Sequence, residues 1–394
     1  MSEALPLSGV RVVEFVHMIM GPSCGLVLGD LGAEVIKIEP LEGDHTRKLI
    51  ASGAGFFPAY NRNKKSIALD LKQPEGREIA LKLVASADVL TENFRPGSMD
   101  ALGLGYAQLS KLKPELVYCS HKGFLAGPYE HRPALDEIAQ MMGGLAYMTG
   151  SREKPIRSGA SVNDVMGGMF GAIAVLAALF QRNATGKGQH VKASLFENNA
   201  FLVAQHMMEG LMTGKPVPPM QERVRAWAVY DIFSTADGRQ LFVGVVTDTQ
   251  WKVFCEAFGR EDLLADPELR TNPQRVVARP RIVPIVAAIF GALTQSELIE
   301  RCDTLGLPYA PINTPDDLFD DPHLNASGGM TEITLPTGRT TRIPLLPIEM
   351  DGRRFGARLD IPGVGEHTRE LLAGLGYSGE RIDALVAGGV ARGD

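Results

Sequence analysis

The first 125 residues alternate between two periodicities, and few folds accept that alternation. VRVVEF (10–15), EVIKIE (34–39), Ser66–Leu71, Val89–Glu92 and Leu116–Ser120 are short apolar runs with the character of buried strands. Between them lie stretches with helical spacing, such as Ser23–Leu31 and Glu75–Ala85. Ser23, just after Gly21 and Pro22, has the side chain of a helix cap. Strand, helix, strand in repetition implies βαβ units and a mainly parallel sheet covered by helices. Right-handed crossovers would make this an α/β, Rossmann-like domain.

The remainder of the chain suggests a second, smaller unit. Asp136–Phe180 is rich in glycine and methionine and mostly helical, and 190–212 reads as one more helix. The longest apolar run, Val165–Phe180, contains Gly167, Gly168 and Gly171 and is short for a membrane span, so it reads as a core helix. KPVPP at 215–219 is linker-like. After it, Val229–Ser234 and Leu241–Val246 flank Asp237-Gly238 as a hairpin, followed by helices at Thr249–Phe258, Arg281–Phe290 and Thr294–Thr304. Thr334–Arg342 reads as strand, turn, strand, and the last 30 residues are helical in pattern. The expected division is 1–220, a small α+β domain at 225–330, and 331–394.

Composition removes several function classes. The 394 residues are 45% hydrophobic and 22% charged, ordinary globular values, with a net charge of −6 that disfavours bulk nucleic-acid binding. Four scattered cysteines without a CxxC pair argue against a zinc knot or disulfide scaffold and suit a reducing, cytoplasmic setting. The first ten residues lack the basic and apolar regions of a signal peptide. No membrane or nucleic-acid partner has support.

The residues that carry chemistry are local. Gly21, Gly25 and Gly29 recur every four residues, which lines one face of a helix for close packing; a dinucleotide loop needs glycines in the turn itself. Basic residues gather just after expected strands: Arg47-Lys48, Arg62 with Lys64 and Lys65, Arg95 in NFRPG, and Lys122 in HKG. Loops at the carboxyl ends of parallel strands are where such folds bind ligands, and converging bases there suit a phosphorylated one. Among the carboxylates, Asp136 and Asp164 each stand at an expected helix start and read as caps. Glu153, in the polar loop TGSREKP, is least explained by capping. The acids at 316–321 beside His323 imitate a metal cluster but fit a helix start at Thr314-Pro315. Cys24 has no base identifiable near it in sequence and reads as a core residue.

Five segments in order, PLSGVRVVEF (6–15), GDLGAEVIKIE (29–39), NRNKKSIALDL (61–71), ADVLTENFRPG (87–97) and TGKGQHV (185–191), resemble the family III CoA-transferases, which include formyl-CoA transferase and the α-methylacyl-CoA racemases. The resemblance implies a Rossmann-like large domain built from both chain ends, a small middle domain, and an obligate homodimer of two interlocked rings. It implies CoA or acyl-CoA as substrate, with no tightly bound cofactor and no metal. His17, Arg62, Lys64, Arg95 and Lys122 fall in the family's CoA-contacting motifs. Glu153 falls where the family's nucleophilic aspartate stands, with Asp136 in reserve. Arg223 and Arg225 replace a glycine-rich flap and are candidates for holding the far carboxylate of a diacid. The implied activity moves CoA from an acyl-CoA, such as succinyl-CoA, to a short diacid or sulfur analogue: itaconate, mesaconate, malate or 3-sulfinopropionate. Two alternatives stay open. In the racemase branch a histidine precedes the aspartate at 136, and Leu135 stands here, although Asp164 matches the second racemase base. A CoA-binding dimer without chemistry is the other.

Overall fold

The computed structural model describes residues 4–223 and 225–393. Contacts divide them into two units, Met1–Gln221 with His323–Asp394, and Glu222–Pro322.

The first unit is built on a seven-stranded sheet. Its strands are β1 (Arg11–Phe15), β2 (Glu34–Glu39), β3 (Lys64–Leu69), β4 (Val89–Glu92), β5 (Val117–Lys122), β6 (His190–Ser194) and β12 (Ala391–Arg392). The order is β12-β3-β2-β1-β4-β5-β6. Every pairing is parallel except that of β12 with β3. This is the 3-2-1-4-5-6 order of a doubly wound sheet with one antiparallel strand added at its edge. Such strands are covered on both faces, and β2 and β4, buried almost throughout, fall where the sequence puts them.

Two local expectations change. His190–Ser194 is a strand, not the start of a helix, and it pairs in register with Tyr118–Lys122 at the sheet edge. The helices follow at Leu195–Leu202 and Ala204–Thr213. Helix α1 (Met20–Asp30) begins before Ser23, whose hydroxyl donates to Ile19 O from inside the first turn at 2.8 Å.

Helix α1 packs on α2 (Val162–Thr185), which also covers β5 and β6. By length and hydropathy α2 alone would suit a membrane; here it lies against α1 and the sheet with Val175, Ala178 and Leu179 in the core. Gly25 on α1 faces the fully buried pair of Glu14 and Lys64 (2.8 Å), and a Cβ there would collide with the Glu14 carboxylate. Gly29 lies under the Asn63 carbonyl, where a Cβ would approach to 3.2 Å. The four-residue glycine spacing therefore serves close packing.

The second unit has its own core. Strands β7 (Val229–Ser234), β8 (Gln240–Val245) and β9 (Tyr309–Pro311) form an antiparallel sheet. Helices Asp248–Ala257, Arg279–Gly291 and Gln295–Leu305 enclose a core that includes Phe233, Trp251, Phe254 and Phe290. In the first unit, β10 (Met330–Thr334) and β11 (Thr340–Pro344) make the hairpin read from the sequence.

Gly25→Ala tests the close approach. Alanine gains about 1 kcal/mol of helix propensity while displacement of the buried pair costs about 3–5 kcal/mol. Urea denaturation should show a net loss of about 2–4 kcal/mol, and a distinctly smaller loss for Gly29→Ala.

Candidate active site

In a doubly wound sheet the strand order reverses between β1 and β4, and the crevice beyond their carboxyl ends is the natural ligand site. His17 leaves β1 there and Asn93–Arg95 leave β4. Asn93 clamps the two loops together: His17 N–H donates to Asn93 Oδ1 at 3.0 Å, and Asn93 Nδ2 donates to His17 O at 2.7 Å. Lys37 Nζ donates to Val16 O at 2.6 Å and pairs with Asp44 at 3.0 Å. The clamped loop carries Met18 at φ 62°, a left-handed conformation that a side chain adopts only when its surroundings impose it. The His17 ring stands against His45 (5.2 Å) and Phe94 (5.8 Å). Its Nδ1 is buried without a hydrogen-bond partner, and burial holds the imidazole below its usual range.

A cleft of about 300 Å³ opens beside this crevice, lined by Arg95, Tyr106, Tyr118, Lys122, His190 and Lys192 among others. Arg95 is exposed. Lys122 Nζ pairs with Glu92 at 2.7 Å and donates to Phe94 O at 3.1 Å, joining the cleft to the loop that carries the His17 neighbour. The His190 ring lies 4.8 Å from Tyr106 and 5.1 Å from Tyr118, leaving flat aromatic walls beside three basic side chains.

Arg62 and Lys64 stand elsewhere than the sequence reading put them. The Arg62 side chain is 2% exposed and forks onto Asp30 at 2.6 and 3.2 Å. Lys64 is fully buried on Glu14, with Pro22 O and Asn61 Oδ1 as further acceptors. Both neutralise interior carboxylates, so neither presents its charge to a ligand in this structure. Arg47 is likewise held, by Glu39 at 2.7 Å.

The three carboxylates have three settings. Glu153 is exposed in the turn 151–154, which Ser151 N–H closes on Lys154 O (3.0 Å) and Lys154 N–H on Ser151 Oγ (3.1 Å). Asp136 is 4% exposed and caps a helix, but not its own. Its Oδ1 accepts from the N–H groups of Asn163 (2.7 Å) and Asp164 (3.1 Å) in the first turn of α2, and its Oδ2 accepts from Gln140 Nε2 at 2.5 Å. Gln140 Oε1 in turn accepts from Ser158 N–H at 2.8 Å, which ties the Glu153 loop to this network. Both carboxylate oxygens of Asp136 are therefore engaged. Asp164 receives no such support and does not cap: burial, and then the Asp136 charge, push its carboxyl up to about 7.

Arg223 and Arg225 belong to the second unit, where Arg225 pairs with Asp231 at 3.5 Å and Arg279 shares that carboxylate. The acids at 316–321 start a 3-10 turn in which Thr314 N–H and Oγ1 donate to Asp317 at 2.6 and 2.7 Å. Asn93, His190, Lys192 and the Asp136–Gln140–Ser158 chain were not read from the sequence. NFRPG marked the loop but not its asparagine.

The model of the family described as CoA-transferase family III matches residues 7–368. The chain belongs to CoA-transferase family III. This family III protein is 34% identical to the mouse succinyl-CoA:glutarate CoA-transferase, covering 98% of this chain and 90% of that one. It is 33% identical to the beta subunit of succinyl-CoA–L-malate CoA-transferase of Chloroflexus aurantiacus, covering 97% of each. The crystal structure of a CAIB/BAIF family protein from Brucella suis superposes with a TM-score of 0.84 at 34% identity, covering 95% of this chain and all of that one.

The perturbed Asp164 has a signature in stability. Its folded carboxyl titrates near 7 against an ordinary 3.8, so the folded family III enzyme holds a proton that the unfolded chain releases between those values. Wild-type stability therefore falls as pH rises through that window. Asp164→Asn removes this dependence, and urea titrations from pH 5 to 7 should show its stability gaining on wild type by about 1.4 kcal/mol per unit.

Proposed function

We propose that this protein transfers CoA from succinyl-CoA to a short dicarboxylic acid or its sulfur analogue, with Glu153 as nucleophile. The observation that carries the reading is the crevice and cleft at the switch point. An anionic, nucleotide-bearing ligand finds Arg95, Lys122 and Lys192 as counter-charges and Tyr106 and His190 as flat walls there. His17, held by Asn93, faces the same end of the sheet. Relatives named for succinyl-CoA with glutarate or malate support the donor and the diacid class.

The chemistry needs a carboxylate and no other cofactor. Glu153 attacks the thioester carbonyl and expels CoA thiolate, leaving a mixed anhydride. The thiolate attacks the glutamyl carbonyl of that anhydride, which frees the donor acid and leaves an enzyme–CoA thioester. The acceptor carboxylate repeats both steps in reverse. One thioester replaces another, so no ATP is consumed. A glutamate reaches about 1.5 Å beyond an aspartate, and the tight 151–154 turn tethered through Gln140 is a means of setting that reach. Arg223 and Arg225 are the cations proposed for the far carboxylate.

We assign the working form as an interlocked homodimer in the cytoplasm. Met169, Ile173 and Phe180 on α2 are exposed, as are Phe201 on 195–202 and Met208 and Met212 on 204–213. The last helix buries no residue within this chain. An apolar face of this extent calls for a second copy. All four cysteines are free, as a reducing compartment requires.

A second reading rests on Asp164. A carboxyl near 7 takes and returns protons readily at neutral pH, which suits α-proton transfer on an acyl-CoA.

Incubation with succinyl-CoA and hydroxylamine should leave a hydroxamate at Glu153, found by peptide mass spectrometry and absent in Glu153→Ala. That variant should lose at least a thousandfold in exchange rate, as loss of a nucleophile commonly does. Modification at Asp136 would move the nucleophile. Deuterium incorporation at the α-carbon with no hydroxamate would favour the second reading. In Arg95→Ala the KM for the CoA thioester should rise about tenfold, equivalent to one lost charged contact of roughly 1.4 kcal/mol.

A further inference from the structure

Beneath the crevice, three side chains far apart in sequence meet in the core of the first unit. Cys24 comes from α1, Cys119 and His121 from β5, and each is at most 2% exposed. The two Sγ atoms and a ring nitrogen of His121 all lie within 4.8 Å of one another. Cys119 Sγ is 3.7 Å from His121 Nε2, and Thr91 Oγ1 is 3.2 Å from the same nitrogen.

We propose that Cys24, Cys119 and His121 form a structural binding site for one zinc ion. Zinc–sulfur bonds of about 2.3 Å and zinc–nitrogen bonds of about 2.0–2.1 Å, at angles between tetrahedral and trigonal, set S···N separations of about 3.6–3.8 Å. The 3.7 Å between Cys119 Sγ and His121 Nε2 falls in that range. Two thiolates and a neutral imidazole cancel a dication, so the loaded site adds no net charge to an apolar core. Sulfur and imidazole together select a thiophilic metal over magnesium or calcium. On binding, each thiol gives its proton to solvent and coordinates as thiolate.

A glycine gives the His121 ring its place. Gly171 of α2 faces the cluster; a Cβ there would run into the His121 ring and stand 3.4 Å from Cys24 Sγ. The site thus joins α1, α2 and β5 at one point, and its ligand His121 is the neighbour of Lys122 in the cleft above. The burial of all three ligands means that the ion enters as the chain folds.

The test uses the full-length protein made in zinc-supplemented medium and dialysed free of loose metal. Elemental analysis should find close to one zinc per chain, lost in Cys119→Ala and in His121→Ala and kept in Cys302→Ala, whose thiol lies in the second unit. Cobalt(II) present while unmodified protein refolds should give a sulfur-to-metal charge-transfer band, a readout that requires no variant to fold. Wild-type protein without zinc and without that band, or variants that keep the zinc, would overturn the proposal.

Discussion

Glu14 and Lys64 are both removed from water at the centre of the sheet, and the arrangement around them follows from that. An interior ammonium survives only if its protons find acceptors, and Lys64 finds the Glu14 carboxylate, Pro22 O and Asn61 Oδ1. These partners come from β1, the first turn of α1 and the segment before β3. The single charge therefore fixes the helix over the sheet, and Gly25 is the opening through which the helix approaches. Lys37 extends the layer, 4.0 Å from Glu14, and spends its own hydrogen bond on the carbonyl before His17. The loop that carries His17 is thus fastened from below by buried charges.

Asp136 and Asp164 show how environment divides labour between like groups. Asp136 collects two backbone N–H groups at a helix start, where the helix dipole also favours a negative charge. Asp164, in that same first turn, has its carboxyl buried beside that charge without equivalent donors, and it keeps its proton toward neutrality. The first orders the loop that carries Glu153; the second is left with a labile proton.

Much of the architecture was legible. Strands β2, β4 and β7 were readable to the residue: β2 and β4 are buried almost throughout, and the Asp237-Gly238 turn marks the end of β7. His190–Ser194 was not, because HVKAS lies at the sheet edge and carries polar side chains without apolar periodicity. Arg95 and Lys122 stand beside strand ends, so their loop positions could be read along the chain. Arg62 and Lys64 stand beside a strand end too, but their partners Asp30 and Glu14 lie 32 and 50 residues away. No local pattern reports such a pairing. The base beside Cys24 escaped the sequence in the same way: the cysteine is on α1 and His121 comes from β5.

The antiparallel partner of β3 is the dipeptide Ala391–Arg392. Until those residues leave the ribosome, one edge of the main sheet offers its unpaired amides to any extended chain nearby. The middle unit, complete by Pro322 with a core of its own, finishes long before that edge is covered. Synthesis therefore proceeds with a finished insertion hanging from an unfinished host, and two nascent copies on neighbouring ribosomes expose the same open edge at the same time.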